Sequence, residues 1–314
     1  MLGSIQNEKS TSAQNIRWRI QIIQVKLLKV QRGEREMKTI VFLNNKGGVG
    51  KTASVTTIAH MLAARHGMRV LVADIDPQGN ASNLFGTTDF IQLIKARRED
   101  VRRKETYHIG DLLVSTELDP REVIRKTAYD GLWLLPSYPT LAAIEEKLKA
   151  DIRHPQQFRL KEQLDRVRGD YDFCLIDCAP SLSILNINAL VAADEVYIPT
   201  LTDDGSLFGI ELTMTELVDE VKRYAGNLSV GGIFFTKFRS KLGISRYAQE
   251  LLDAVYSELI LPFTINENVA VAECSHKHMP LLAYDPGMKV KATRDYAALT
   301  AYIAAKQEAE GRNA

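Results

Sequence analysis

Cysteine is scarce in this chain. Three in 314 residues cannot all pair, which excludes the disulfide frameworks of small secreted domains and points to a reducing, cytoplasmic setting. Cys174 and Cys178 lie four residues apart, on and just after an apolar run, where small buried residues are expected. An iron–sulfur role would need a fuller ligand set. Long apolar runs are also missing. No stretch approaches the ~18 residues of a membrane span, so no stable membrane insertion is expected. Nor is there an internal repeat or a low-complexity linker. With 45% apolar and 25% charged residues, the composition is that of a globular, soluble protein with one α/β domain.

Net charge is nearly absent at +1, and it is unevenly spread. Residues 1–37 hold seven Lys/Arg against three Asp/Glu, which leaves 33 against 36 in the remainder. A chain without a global basic excess needs a local patch to hold nucleic acid. One candidate runs through Lys237, Arg239 and Lys241, with Arg246 on the next helix. Lys289, Lys291 and Arg294 form a second group. A merely solvated face is the alternative for both.

Against these absences stands one dense motif, Lys46-Gly47-Gly48-Val49-Gly50-Lys51-Thr52. An apolar strand, Thr39 to Asn44, precedes it, and a helix, Ser54 to Arg65, follows. Glycines let the backbone turn tightly and aim N–H groups at a phosphate. The helix that starts at the loop adds its positive dipole end. Lys51 is placed for the β- and γ-phosphates, and the Thr52 hydroxyl for Mg²⁺. Lys46 is a second lysine at the front edge of the loop.

Two further apolar runs end in carboxylates. Arg69 to Ala73 leads into Asp74-Ile75-Asp76-Pro77-Gln78-Gly79-Asn80, and Tyr171 to Ile176 leads into Asp177-Cys178-Ala179-Pro180-Ser181. Ligands of open parallel sheets bind at the carboxyl ends of the strands. That geometry would place Asp177 to hold a metal, directly or through water, and Asp76 to orient an attacking water.

These segments resemble the ParA/Soj family of partition ATPases, within the group that includes MinD. Residues 46–52 match the family's deviant Walker A motif letter for letter. Residues 74–80, 171–181, 185–196 and 282–286 are similar to its later motifs, and the resemblance spans about residues 38–306. It implies an ATP-dependent homodimer closed face to face around two ATP molecules. In that dimer Lys46, the signature lysine, would reach the partner's nucleotide. It also implies Asp76 as the hydrolytic aspartate, Mg²⁺ and ATP as cofactors, non-specific DNA binding in the ATP state, and a ParB-like protein that stimulates hydrolysis. A nucleoid-associated location follows from the same reading. The sequence departs from the family at Ala53, at Thr200 to Ser206, where a glutamine-containing aromatic segment is common, and at Glu267 and Ala270, where relatives carry arginines.

The expected architecture is therefore an α/β P-loop NTPase, with a mostly parallel twisted sheet and helices on both faces, over residues 38–314, plus an N-terminal extension, residues 1–37. Further strands are expected at Gly131–Leu135, Gly231–Phe235 and Glu258–Leu261. Helices are expected at Thr140–Lys149, Gln156–Arg168, Ser206–Tyr224, Ile244–Ser257 and Ala292–Gln307, and Lys95–Lys104 is an exposed helix or loop. In the extension, Met1–Asn15 is polar. Ile16, Ile20, Ile23, Leu27 and Val30 recur at helical spacing among basic residues, although Ile16–Ile22 also alternates as a strand does. A start at Met37 stays open. Rival functions are a MinD-like or other cargo-positioning ATPase and a cobyrinate amidase-like ligase. For the ligase, Cys274 near His276 and His278 is the available candidate pair.

Overall fold

Three short apolar runs set the centre of the fold. In a computed structural model that describes residues 36–86, 107–151 and 155–313, they form β1 (Lys38–Phe42), β2 (Val70–Asp74) and β5 (Phe173–Asp177). Their side chains alternate between two cores. Ile40, Phe42, Val70, Val72, Phe173 and Leu175 enter one, while Val41, Leu71, Ala73, Cys174 and Ile176 enter the other. A strand buried on both faces reads as an unbroken apolar run because helices cover both sides of a parallel sheet.

The remaining strands are β3 (Arg125–Lys126), β4 (Leu132–Leu135), β6 (Glu195–Thr200), β7 (Ser229–Phe238) and β8 (Ile260–Asn266). They complete an eight-stranded sheet in the order β3-β4-β2-β5-β1-β6-β7-β8. Every pairing is parallel except β3 with β4. Chain contacts cluster residues 1–36 apart from residues 37–314, and of the first unit only Glu36 is described. The expectations for Ile16–Val30 and Lys95–Lys104 fall outside the described residues.

In chain order the α-helices are α1 (Lys51–His66), α2 (Asn80–Leu84), α3 (Ile109–Val114), α4 (Pro120–Val123), α5 (Leu141–Ala150), α6 (Arg159–Asp165) and α7 (Ile184–Ala192). They continue with α8 (Asp204–Leu212), α9 (Asp219–Tyr224), α10 (Gly243–Tyr256), α11 (Val269–His276), α12 (Leu281–Tyr284) and α13 (Lys291–Asn313). α1 ends where Gly67 takes φ 64°, its N–H returning to the Ala63 carbonyl, as a glycine C-cap does.

The helix expected at Ser206–Tyr224 is divided. A π-helical segment, Thr213–Val218, separates α8 from α9. Thr213 Oγ1 accepts the Asn45 N–H at 3.0 Å and donates to the Gly209 carbonyl at 2.7 Å. The irregular turn thus fastens this helix to the chain just after β1, and π turns are frequent at functional sites. The Gln156–Arg168 helix also shortens: it opens with a 3₁₀ turn, and α6 ends at Asp165.

Candidate nucleotide site

The pairing register brings the three sequence motifs to one level. Phe42 at the end of β1 is opposite Asp177, and Asp177 is opposite Asp74. The glycine loop leaves β1 at this edge. Gly48 and Gly50 take φ 76° and 86°, left-handed backbone that a side chain would strain. Thr236, two residues before the end of β7, braces the loop, its hydroxyl donating to the Val49 carbonyl at 2.8 Å.

Lys51 is buried, and its ammonium donates to the carbonyls of Asn44 at 3.0 Å and Lys46 at 2.9 Å. Burial lowers its pKa, and the charges of Asp177, Cys178 and Asp76 oppose that shift. Asp177 is fully buried, and neither carboxylate oxygen meets a donor in good hydrogen-bond geometry, although the Thr52 hydroxyl lies beside it. Burial, then the neighbouring Asp74 charge, push its pKa well above the usual carboxylate range, against the Thr52 hydroxyl and Lys51. Asp74 is pushed up to about 7, chiefly by burial, although Ser82 hydrogen-bonds to it. Asp76 is nearly buried, and its Oδ1 accepts the Gln78 N–H at 2.9 Å.

An orphaned, dehydrated carboxylate beside a threonine hydroxyl suits a divalent cation. Among the described residues no group of three or more His, Cys, Asp or Glu forms a metal cage. Mg²⁺ does not need one, since it keeps waters and takes one or two protein ligands alongside substrate phosphates. Asp177 and Thr52 fit that pattern.

A cavity of about 950 Å³ opens beside the loop, a volume suited to a cofactor-sized ligand. Gly48, Lys51, Thr52 and Asp76 line it together with Asn266, Ser275 and Tyr296. Sequence reasoning did not find the second set, which comes from the end of β8 together with α11 and α13, more than 200 residues along the chain. The sequence sign there was Asn268, which caps α11 by accepting the Ala270 N–H.

Lys46 is not among the residues lining this cavity. Its ammonium is ion-paired with Asp203, the N-cap of α8. That partner also escaped the sequence reading, although the loop that carries it stood out as a departure from the family. The basic candidates divide. Lys237 and Arg239 line the cavity, and Arg239 is ion-paired with Glu267. Lys241 and Arg246 are exposed around the start of α10.

The AAA_31 family, described as an AAA domain, matches residues 37–230. The chain is 32% identical over 273 residues to the chromosome-partitioning ATPase Soj of Treponema pallidum, covering 86% of this chain and 98% of that protein. It is 32% identical over 274 residues to the chromosome partitioning protein ParA of Myxococcus xanthus, covering 85% and 89%. Among solved structures it is similar to cobyrinic acid a,c-diamide synthase of Mycobacterium smegmatis with a bound ATP analog and magnesium, at 26% identity and TM-score 0.68, covering 84% and 93%. It shares its fold with McdA of Cyanothece at 19% identity and TM-score 0.73, covering 86% and 97%.

Proposed function

The chain belongs to the ParA/Soj family of P-loop ATPases, and from that premise we propose that it is a dimerising ATP switch that positions DNA. As a partition- or positioning-type ATPase it takes ATP with Mg²⁺. The ion supplies charge neutralisation at the phosphates, and Thr52 and Asp177 would hold it. In the proposed cycle the backbone of Gly47 to Gly50 and the Lys51 ammonium bind the phosphates. Asp76 orients the attacking water. Lys46 acts in trans, stabilising charge on the partner's transferring phosphoryl group as an arginine finger does.

The observation that carries this reading is the position of Lys46. One subunit's cavity contains Lys51 but not Lys46, whose ammonium is bound at the base of α8. A second lysine placed outside its own site suits delivery to another. Exposed apolar side chains at Leu182 after β5, Phe208 on α8 and Val269 at the start of α11 suit a closing face at the same edge.

The amidase reading fares less well at its candidate nucleophile. Cys274 is buried, and burial pushes its thiol up to about 11, the reverse of an activated thiolate. For a membrane-positioning role, no helix among the described residues is long and apolar enough to cross a bilayer. That leaves surface attachment as an outcome to test.

The deciding experiment is DNA binding with ATP, ADP and no nucleotide, with vesicle pelleting alongside. ATP-dependent, sequence-tolerant binding supports the DNA switch. ATP-dependent pelleting without DNA binding would replace it with membrane positioning. A ParB-like protein is the proposed stimulating partner, and its addition is expected to accelerate ATP turnover.

A further inference from the structure

The loop after β4 carries a side chain that reaches the backbone of Asp76. Ser137 lies two residues beyond Leu135, the end of β4, and is 1% exposed. Its hydroxyl donates to the Asp76 carbonyl at 2.6 Å. Its own N–H donates to Ser82 Oγ at 2.8 Å. The Ser82 hydroxyl donates to Asp74 Oδ2 at 2.7 Å, and the Ser82 N–H donates to the same oxygen at 2.8 Å. Asp74 Oδ1 in turn accepts the Asp76 N–H at 3.2 Å.

These bonds close into a ring that returns to Asp76 and engages both of its backbone polar groups. Every member is nearly or fully buried, where a hydrogen bond is electrostatically strong and an unmade one is costly.

We infer that Ser137 is a positioning residue for Asp76, holding that residue's peptide so that its carboxylate stays on the cavity wall. The inference rests on the proposed role of Asp76 in orienting water. Sheet integrity does not depend on this ring, because β2 and β4 are already joined by the ladder from Val70–Leu132 to Ala73–Leu135. What the ring adds is control of the turn beyond that ladder. A displacement of ~1 Å at a reacting group can cost ~100-fold in rate, so a lock on one peptide has catalytic weight without touching substrate.

The test uses the full chain with Ser137→Ala, Ser137→Thr, Ser82→Ala, Asp76→Ala and the Ser137→Ala/Asp76→Ala pair. Mg-dependent ATP turnover, affinity for a fluorescent ATP analogue and the thermal midpoint are read for each. Ser137→Ala is expected to lower kcat by about 10- to 100-fold, with nucleotide affinity held within about twofold. Ser82→Ala, which opens the ring one link away, reproduces that loss, and Ser137→Thr, which keeps the hydroxyl, restores turnover. In the Asp76→Ala background Ser137→Ala has no further effect, because the group it positions is gone.

Unchanged turnover in Ser137→Ala overturns the inference. So does an equal loss in the Asp76→Ala background, which would mean that Ser137 acts on something else. A kcat loss matched by lost nucleotide affinity and a collapsed thermal midpoint would reduce Ser137 to a structural role. Wild-type turnover in Asp76→Ala removes the role of Asp76 itself, a failure distinct from the others because it is read in a chain whose Ser137 is intact.

Discussion

At the scale of single residues, Lys46 and His60 make opposite demands on their surroundings. Lys46 is part-exposed and paired with a part-exposed Asp203, so their bond contributes ~0–1 kcal/mol to stability. Lys46→Ala is therefore expected to fold and to bind nucleotide as the parent does, while losing ATP-dependent dimerisation or productive turnover. Sedimentation with ATP against ADP, alongside a turnover assay, checks this, and an unchanged dimer with unchanged turnover would refute the role in trans. His60 on α1 is buried against the edge of Tyr129, with ring centroids 4.6 Å apart and Nδ1 unpaired. Burial lowers its pKa to about 4 from an unfolded value near 6.5. Between those values the unfolded chain binds the extra proton, so stability falls as pH drops through that window and is fully present above it. The thermal midpoint should decline from pH 6.5 to 4, and His60→Met should flatten that slope. A parallel decline in both proteins would place the acid sensitivity elsewhere.

At the scale of elements, α8 shows how a helix start can regulate a lysine. Asp203 caps the helix, its Oδ1 accepting the Ser206 N–H at 3.0 Å and its Oδ2 the Ser206 hydroxyl at 2.9 Å, while Oδ1 also holds Lys46. Asp203→Asn preserves the backbone cap, since Asn caps as well as Asp, and removes the carboxylate charge that holds Lys46, at the loss of one acceptor for the Ser206 hydroxyl. If that pair restrains the lysine, basal ATP turnover should rise, by up to about fivefold for a bond worth ~1 kcal/mol; unchanged or lower turnover would show that Asp203 does not restrain it. Gly209 explains why the helix can lie so close, because a Cβ there would sit 2.5 Å from Asn44 Oδ1. Little of this was legible in the sequence, and the reason is physical. The phosphate loop and the apolar runs of β1, β2 and β5 are local patterns, with glycine conformation, strand burial and helix start all encoded within a few residues. Lys46–Asp203, Ser137–Asp76 and the cavity lining from β8, α11 and α13 are brought together across 61 to more than 200 residues by strand order. Spacing along the chain carries no sign of them. The π turn at Thr213 was hidden too, and its bond to Asn45 is another pairing across the chain.

At the scale of the whole molecule, the question is where a chain with an acidic excess beyond residue 37 would grip DNA. Arg239 is ion-paired with Glu267. Arg294 donates to the carbonyls of Met288 and Lys289, and Lys291 to Asn266. Lys241 and Arg246, exposed around the start of α10, are the better-placed pair for phosphate. Two such contacts on each subunit of a dimer would release about four counterions, giving a slope near −3.6 for log K against log salt, at ~0.9 per phosphate. Lys241→Ala with Arg246→Ala should flatten that slope toward zero and weaken binding alike across sequences, because phosphate contacts carry no base information. ATP turnover without DNA should stay at the parent level, since neither residue lines the cavity. If the doubly substituted chain keeps the parent slope, the gripping surface lies elsewhere on the molecule, and the same salt series repeated with Lys289, Lys291 and Arg294 replaced by alanine would test the second basic group.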